Sequence, residues 1–358
     1  MKKLLQLLIG LIIGVGLLWL LFRNTDWGEV FHTIREVHLG WLLLAELMIL
    51  ATFFTRVQRW SYVVRTAKPV SFRHMFSATQ IGFLANFCLP GRVGELIRAL
   101  VLGRLARLPF AKCMAMVALD RINDLVSLVF VVLVAIFAYA PAGVVVIPEE
   151  TFGHEITFAA ERVKQGETAA FIGLIVSVGV LVLIYVNQRV ALRTTEIVVG
   201  RVSKRMAARA RDFLQHFAEG LHIFRSGTDM AKSVFFSLVT WALALMSITV
   251  FMWAFGIRVP WYAPFVIQLM LAVAISVPGA PGFVGQFHVP IVVGIVMLMP
   301  EVGVSKAKAV AITAHLMNLI PVYVVGIFCL FWERLGFLEL TKESLHAETE
   351  LDSQDLTG

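Results

Sequence analysis

Charge is scarce in this 358-residue sequence: Asp, Glu, Lys and Arg together make up 15% of it, against 59% hydrophobic residues. A soluble fold of that size cannot bury so much hydrocarbon, which excludes a cytosolic enzyme, a nucleic-acid binder or a disordered chain. Cysteine is nearly absent too. Cys88, Cys113 and Cys329 stand far apart inside apolar runs, so neither a disulfide framework nor a C-x-x-C redox pair is available. No His or Cys spacing offers a metal site, and no Ser-His-Asp or glycine-rich nucleotide motif stands in context. No metal, cofactor or catalytic machinery is therefore expected. Long polar stretches are also missing, so the formal net charge of +7 reads as a topology signal and not as affinity for nucleic acid.

What is present is hydrocarbon in long runs. Stretches able to cross a membrane core of about 30 Å lie at 4–22, 39–57, 114–139, 169–187, 234–256 and 307–332. The first follows Met1-Lys2-Lys3 and leads into Arg23-Asn24-Thr25-Asp26 without a small-x-small cleavage site, so it reads as an uncleaved span. Two other apolar regions are broken: 74–89 by Pro90-Gly91, with the next run ending at Arg104, and 263–277 by residues 278–282, before continuing to Met299. Basic residues favour the cytoplasmic side. Arg56, Arg59, Arg65, Lys68 and Arg73 precede the first broken region and Arg104, Arg107 and Lys112 follow it, so both flanks read as cytoplasmic. A stretch that enters and leaves by one face is a re-entrant hairpin.

Carrying the count forward puts the acid-rich segment 140–168 outside and the basic loop 188–232 inside. The second broken region is then re-entrant from the outer face, and both termini are cytoplasmic. The expected fold is an all-α polytopic membrane protein, with six spanning helices and two re-entrant hairpins in one domain at 1–335, followed by an acidic cytoplasmic tail at 336–358. Within 188–232, Phe213, Phe217, Leu221 and Phe224 recur at helical spacing opposite basic residues, the pattern of an interfacial helix on an anionic lipid surface.

The broken regions resemble each other. Pro90-Gly91-Arg92-Val93-Gly94-Glu95 and Pro281-Gly282-Phe283-Val284-Gly285-Gln286 share Pro-Gly-x-Val-Gly followed by Glu or Gln. Each sits between a span with a short arm and a short arm with a further span, giving units 39–139 and 234–332 that enter from opposite faces. Inverted repeats with discontinuous helices are a transporter plan, with substrate held where the breaks meet. Non-helical backbone at that depth survives only when buried in protein or lining a wet cavity. The Pro-Gly turns would start the outgoing arms with their positive dipole ends, which attract anions, and the glycines would let an anion approach the backbone N–H groups. The plainer alternative is that Pro and Gly simply make tight helix turns.

Charged side chains at membrane depth cost about 2.5–3.5 kcal/mol each on insertion scales, so each needs a partner or a role. Arg92, Glu95 and Arg98 flank the first turn, and Asp120, Arg121 and Asp124 lie in the next span. Spacing of three would let Glu95 pair with Arg98 and Arg121 with Asp124. Arginine's planar fork suits phosphate, which makes Arg92, Arg98 and Arg121 phosphate candidates and the carboxylates their neutralisers or receivers of a cationic headgroup. With Pro90, Gly91, Gly94, Pro281, Gly282, Gly285, His288 and Asn318 these form the candidate headgroup-binding set. His288 and His315 read either as proton carriers or as packed core histidines.

The run from Leu89 to Arg98 closely resembles the P-G-R-x-G-E-x-x-R signature of the flippase-like family, the transmembrane region of lysylphosphatidylglycerol synthases with its stand-alone relatives. Residues 281–288 resemble that family's later P-G-x-x-G segment, and the likeness extends over about 4–332. The resemblance implies a multi-pass protein of the bacterial inner membrane that moves a polar lipid between leaflets, with Arg92, Glu95 and Arg98 at the site. His288 stands where the family often has Glu, which disfavours an aminoacyl lipid as cargo. Nothing after Trp332 matches a soluble aminoacyl-transfer domain, so synthase activity is not expected. The expected partners are a phosphate-bearing membrane lipid and, through the basic loop, a lipid-synthesis enzyme, with the oligomeric state left open. The rivals are a membrane enzyme centred on Asp120, Arg121 and Asp124, and a scaffold for lipid or envelope synthesis.

Overall fold

In the computed structural model, the described residues are 2–89, 93–139, 143–162, scattered positions between 165 and 179, 227–276 and 279–344. Pro90, Gly91 and Arg92, most of the span expected at 169–187, the amphipathic pattern at 213–224 and the tail beyond 344 lie outside them.

The described residues are mostly helical: α1 (Lys2–Phe22), α2 (Trp27–Arg35), α3 (Leu39–Val64), α4 (Phe72–Cys88), α5 (Gly94–Ala106), α6 (Phe110–Ala138), α7 (Glu149–Phe152), α8 (Gly227–Ala254), α9 (Ala263–Ser276), α10 (His288–Leu298) and α11 (Val304–Trp332). Local chemistry sets several ends. Asp26 caps α2 by accepting from the Glu29 N–H at 3.1 Å, and Ser71 caps α4 by accepting from His74 at 3.3 Å. α5 stops where Arg107 turns left-handed, two residues before Pro109.

Among the described residues, five helical segments are long and apolar enough to cross a membrane: Leu39–Val64, Phe110–Ala138, Gly227–Ala254, Pro281–Leu298 and Val304–Trp332. The chain is a multi-pass membrane protein. Four of the five match expected spans. The fifth joins a one-turn 3-10 helix, Pro281–Phe283, to α10, and takes in the outgoing arm of the second broken region. At the first span, α1 forms as expected, with its described apolar part at Gly10–Phe22.

Two features depart from expectation. α3 continues to Val64, so Arg56 and Arg59 are residues of a spanning helix and not of a cytoplasmic loop. No proline or glycine interrupts the chain between Gly40 and Pro69, and nothing stops the helix at residue 57. The segment after α6 contains a small antiparallel ribbon, β1 (Val144–Ile147) with β2 (Ile156–Ala159). Its first strand is an unbroken β-branched run bounded by Gly143 and Pro148, which favours a strand over a structureless loop.

Both broken regions fold back on themselves. In the first, the Gly94 N–H donates to Asn86 at 2.9 Å near the turn, and the Lys68 ammonium reaches the Ala106 carbonyl at 2.8 Å at the open end, so α4 and α5 run antiparallel. In the second, Gln286 donates to the Ala274 carbonyl at 3.1 Å while Gly294 packs against Ile267, so α9 and α10 do the same. The long helices that open the two halves, α3 and α8, also run antiparallel: Thr55 meets Thr240 at 2.8 Å, and Trp41 meets Trp253 with ring centroids 5.4 Å apart. The order long, short, short, long then recurs, with 26, 17, 13 and 29 residues in one half and 28, 14, 11 and 29 in the other. Cross-packing matches as well: α4 lies on α11 and, correspondingly, α9 lies on α6.

A candidate headgroup site between two hairpins

Glycine makes the first hairpin tight. A side-chain carbon on Gly94 would run into the Gly82 carbonyl and Asn86, and one on Gly82 would stand 2.9 Å from the Gly94 oxygen. The Gly94 N–H is already taken by Asn86. The absent side chain therefore admits the neighbouring arm, where sequence reasoning expected an anion. The second turn has the same logic. Gly285, at φ 81°, packs on α1, where an added carbon would lie 2.6 Å from the Gly14 oxygen. Gly10 and Gly14 give α1 a small-x-x-x-small face for that turn. Gly282 differs: an added carbon would make only ordinary contacts, 3.6 Å from Val284 and 3.8 Å from Leu319, and its φ of 70° is what requires glycine.

The ends of the hairpins meet. Phe87, at the close of α4, packs edge-on against Phe283 of the second turn with ring centroids 5.1 Å apart. Beside this contact lies a cavity of about 340 Å³, at the small end of the ~300–1,000 Å³ usual for ligand pockets. Its wall is mostly apolar, with Thr52, Arg56, Trp241, Ser247, Gln268 and Asn318 as the polar groups. Asn318 returns one amide bond to the Ala314 carbonyl at 2.9 Å.

Behind Arg56 is a charged cluster that ties α3, α5 and α6 together. Arg59 bonds Asp120 at 2.8 Å and also bonds Asp124. Arg98 bonds the other oxygen of Asp120 at 2.8 Å and lies over the Trp60 ring at 3.7 Å. Arg121 reaches Glu95 at 3.4 Å and Asp124 at 3.2 Å. Arg56 is 3.8 Å from Asp124 and makes no hydrogen bond to it. Four guanidiniums thus face three carboxylates, an excess of one positive charge among the described residues. Ser237, on α8, accepts from Arg59 at 3.2 Å and joins Ser127 of α6 at 2.6 Å, extending the polar seam to a fourth helix.

Sequence spacing predicted the Arg121–Asp124 pair correctly and the Glu95–Arg98 pair incorrectly. Those two residues share a helix but turn to different partners on α6: Arg98 to Asp120 and Glu95 to Arg121. Two aspartates one turn apart on α6 offer closer, more buried acceptors than the helix's own surface does. Arg98 is 1% exposed, so it holds the hairpin to α3 and α6 here. Arg56 and Arg59 were missed, although a signal was present: Thr52, Thr55, Arg56 and Arg59 fall on one helical stripe.

The histidines gather at the second hairpin, His288 on α10 and His315 on the neighbouring α11. His315 Nε2 lies 2.7 Å from the Gly282 carbonyl, and the His288 and His315 rings are 4.6 Å apart. Phe22 closes on His288 edge-on at 5.9 Å. Pro281 opens the 3-10 turn that presents the Gly282 carbonyl. Among the described residues, no group of three His, Cys, Asp or Glu side chains is placed to hold a metal ion.

A family model described as the lysylphosphatidylglycerol synthase TM region matches residues 7–326. The curated proteins and the solved structures give no match.

Proposed function

We propose, taking as premise that the chain belongs to the lysylphosphatidylglycerol synthase transmembrane-region family, that this membrane protein translocates a polar lipid headgroup between leaflets. Family membership supports a role in lipid synthesis or flipping; the translocase reading is ours. The two antiparallel hairpins are re-entrant arms of an inverted repeat, and the cavity where they meet is a waypoint for the headgroup while the tails stay in lipid. The single observation that carries this is the cavity beside the Phe87–Phe283 contact, with Arg56 of a net-positive cluster in its wall.

The physics is desolvation. A charged group in bare hydrocarbon costs several kcal/mol. The few polar groups in the cavity wall, Arg56 among them, backed by the fixed charges of the cluster, replace part of the lost hydration, so the barrier falls without any covalent step. The carboxylates of the cluster are all held by arginines, which suits an electrostatic framework better than acid–base chemistry, and no turnover reaction is proposed. The setting is the inner membrane of a bacterium with both termini in the cytoplasm, where the basic 188–232 loop would rest on anionic lipid and could receive a lipid-synthesis enzyme.

The test uses purified protein in vesicles with a headgroup-labelled phospholipid and a membrane-impermeant quencher. Wild type should expose inner-leaflet label far faster than protein-free vesicles, and Ala314→Trp, which fills the cavity, should abolish the acceleration. Exposure at the protein-free rate by folded wild type, or an unhindered Ala314→Trp variant, would overturn the proposal. Chemical conversion of the lipid by purified protein would favour the membrane-enzyme alternative.

A further inference from the structure

A second concavity lies against the cavity described above. It is a groove lined by Ser127 and Phe130 of α6, by Leu238, Trp241, Leu245 and Met246 of α8, and by Trp261 and Phe265 at the start of α9. Its lining is apolar apart from a few hydroxyls and indole nitrogens. Phe130, Leu238, Met246 and Trp261 are exposed, as lipid-facing residues of a membrane protein are. Trp241 lines both concavities. Its indole N–H is buried and has no hydrogen-bond partner among the described residues. A donor without an acceptor where the Arg56-bearing cavity and the apolar groove adjoin is a costly arrangement unless a ligand oxygen arrives there.

Arg56 supplies the matching charge. Arg59, Arg98 and Arg121 each make an ion pair at 2.8–3.2 Å, whereas Arg56 stands 3.8 Å from Asp124 with no hydrogen bond, and its side chain is 25% exposed. Asp124 already serves Arg59 and Arg121, so it loses little if Arg56 turns away. A guanidinium of this kind can present two parallel N–H bonds to a phosphate while its cluster stays neutral behind it.

We propose that the cavity and the groove form one binding site for an anionic phospholipid: the phosphate pairs with Arg56, the Trp241 indole N–H donates to a headgroup oxygen, and an acyl chain lies in the groove between α6, α8 and α9. This rests on the translocase reading and deepens it by naming the charge class of the lipid, the residue that selects it and the side on which it enters. The groove distinguishes a lipid from a free phosphate ion, since only a lipid gains from both concavities. Continuity through Trp241 fixes the occupant as the tail of the same molecule.

The full-length protein in neutral detergent tests this with three probes: dioctanoyl phosphatidylglycerol, dioctanoyl phosphatidylcholine and glycerol phosphate. Wild type should bind the phosphatidylglycerol at least about tenfold more tightly than either of the others. Arg56→Gln should weaken phosphatidylglycerol binding by about tenfold, and Arg56→Lys by less. Ala242→Trp, which fills the groove, should weaken the lipid and leave glycerol phosphate unchanged. Equal binding of phosphatidylglycerol and phosphatidylcholine, or an unaffected Arg56→Gln protein, would overturn the charge assignment. Glycerol phosphate binding as tightly as the lipid would overturn the groove. Folding of each variant is checked by its helical circular dichroism. The same variants assayed for translocation separate the two levels: vesicle transport that survives Arg56→Gln sinks this inference and spares the function, while tight lipid binding without transport does the reverse.

Discussion

The two hairpins share a turn motif and little of the chemistry around it. The first, α4 with α5, is pinned by charge: Arg98 and Glu95 reach across to Asp120 and Arg121 of α6, with Arg59 of α3 completing the set. The second, α9 with α10, has no Asp, Glu, Lys or Arg in either arm and is held by close packing on α1 and by the His315 contact to the Gly282 carbonyl. Glycine does the same work in both, letting backbones approach. What differs is what neighbouring helices supply. The helices packed around each hairpin decide whether it becomes part of a charged site or a sealed joint.

The comparison breaks most visibly at Asp120. Replacing it with Asn leaves buried Arg98 without its paired carboxylate and Arg59 with only Asp124, which should cost about 3–5 kcal/mol. Thermal unfolding in detergent should show a large drop in Tm, with no comparable drop for any polar replacement in α9. Next is Gly94→Val, which forces α4 and α5 apart at the Gly82 carbonyl, and Gly285→Val, which does the same between the second turn and α1 while demanding a side chain at φ 81°. Each should destabilise by about 2–4 kcal/mol. If only Gly94→Val does, the α1 contact is dispensable. His315→Phe removes one hydrogen bond from the second hairpin and should cost about 0.5–1.5 kcal/mol in the same assay. The smallest effect belongs to the ion pair between Arg73 and Glu333 at 3.0 Å, whose arginine is half exposed. Arg73→Ala should change stability by about 0–1 kcal/mol, and the change should shrink as salt is raised.

Much of this was legible beforehand, because hydrocarbon runs and their length report directly on a membrane solvent. The long helices and the antiparallel arms of both broken regions follow from apolar length and from Pro-Gly placement. The charged cluster was half legible. Spacing along one helix finds Arg121 with Asp124, since both lie on the same surface. It cannot find Arg59 with Asp120, 61 positions away in the chain, because that pairing is set by how α3 and α6 pack. The basic residues near the end of α3 also carry two meanings in sequence. A topology rule counts Arg56 and Arg59 as loop charges, while the stripe they form with Thr52 and Thr55 belongs to a helix that has not yet ended. The ribbon at Val144–Ile147 escaped because a short β-branched run beside apolar spans looks like more of the same.

The proposed transport depends on the meeting of the two hairpin ends, and locking that contact tests it directly. In a chain stripped of Cys88, Cys113 and Cys329, Phe87→Cys and Phe283→Cys replace the rings now 5.1 Å apart, and a short bis-thiol reagent with a cleavable link joins them. The bridge should form, headgroup translocation in vesicles should stop while it is intact, and cleaving it should restore the rate. Translocation that continues at full rate with the bridge in place would contradict it.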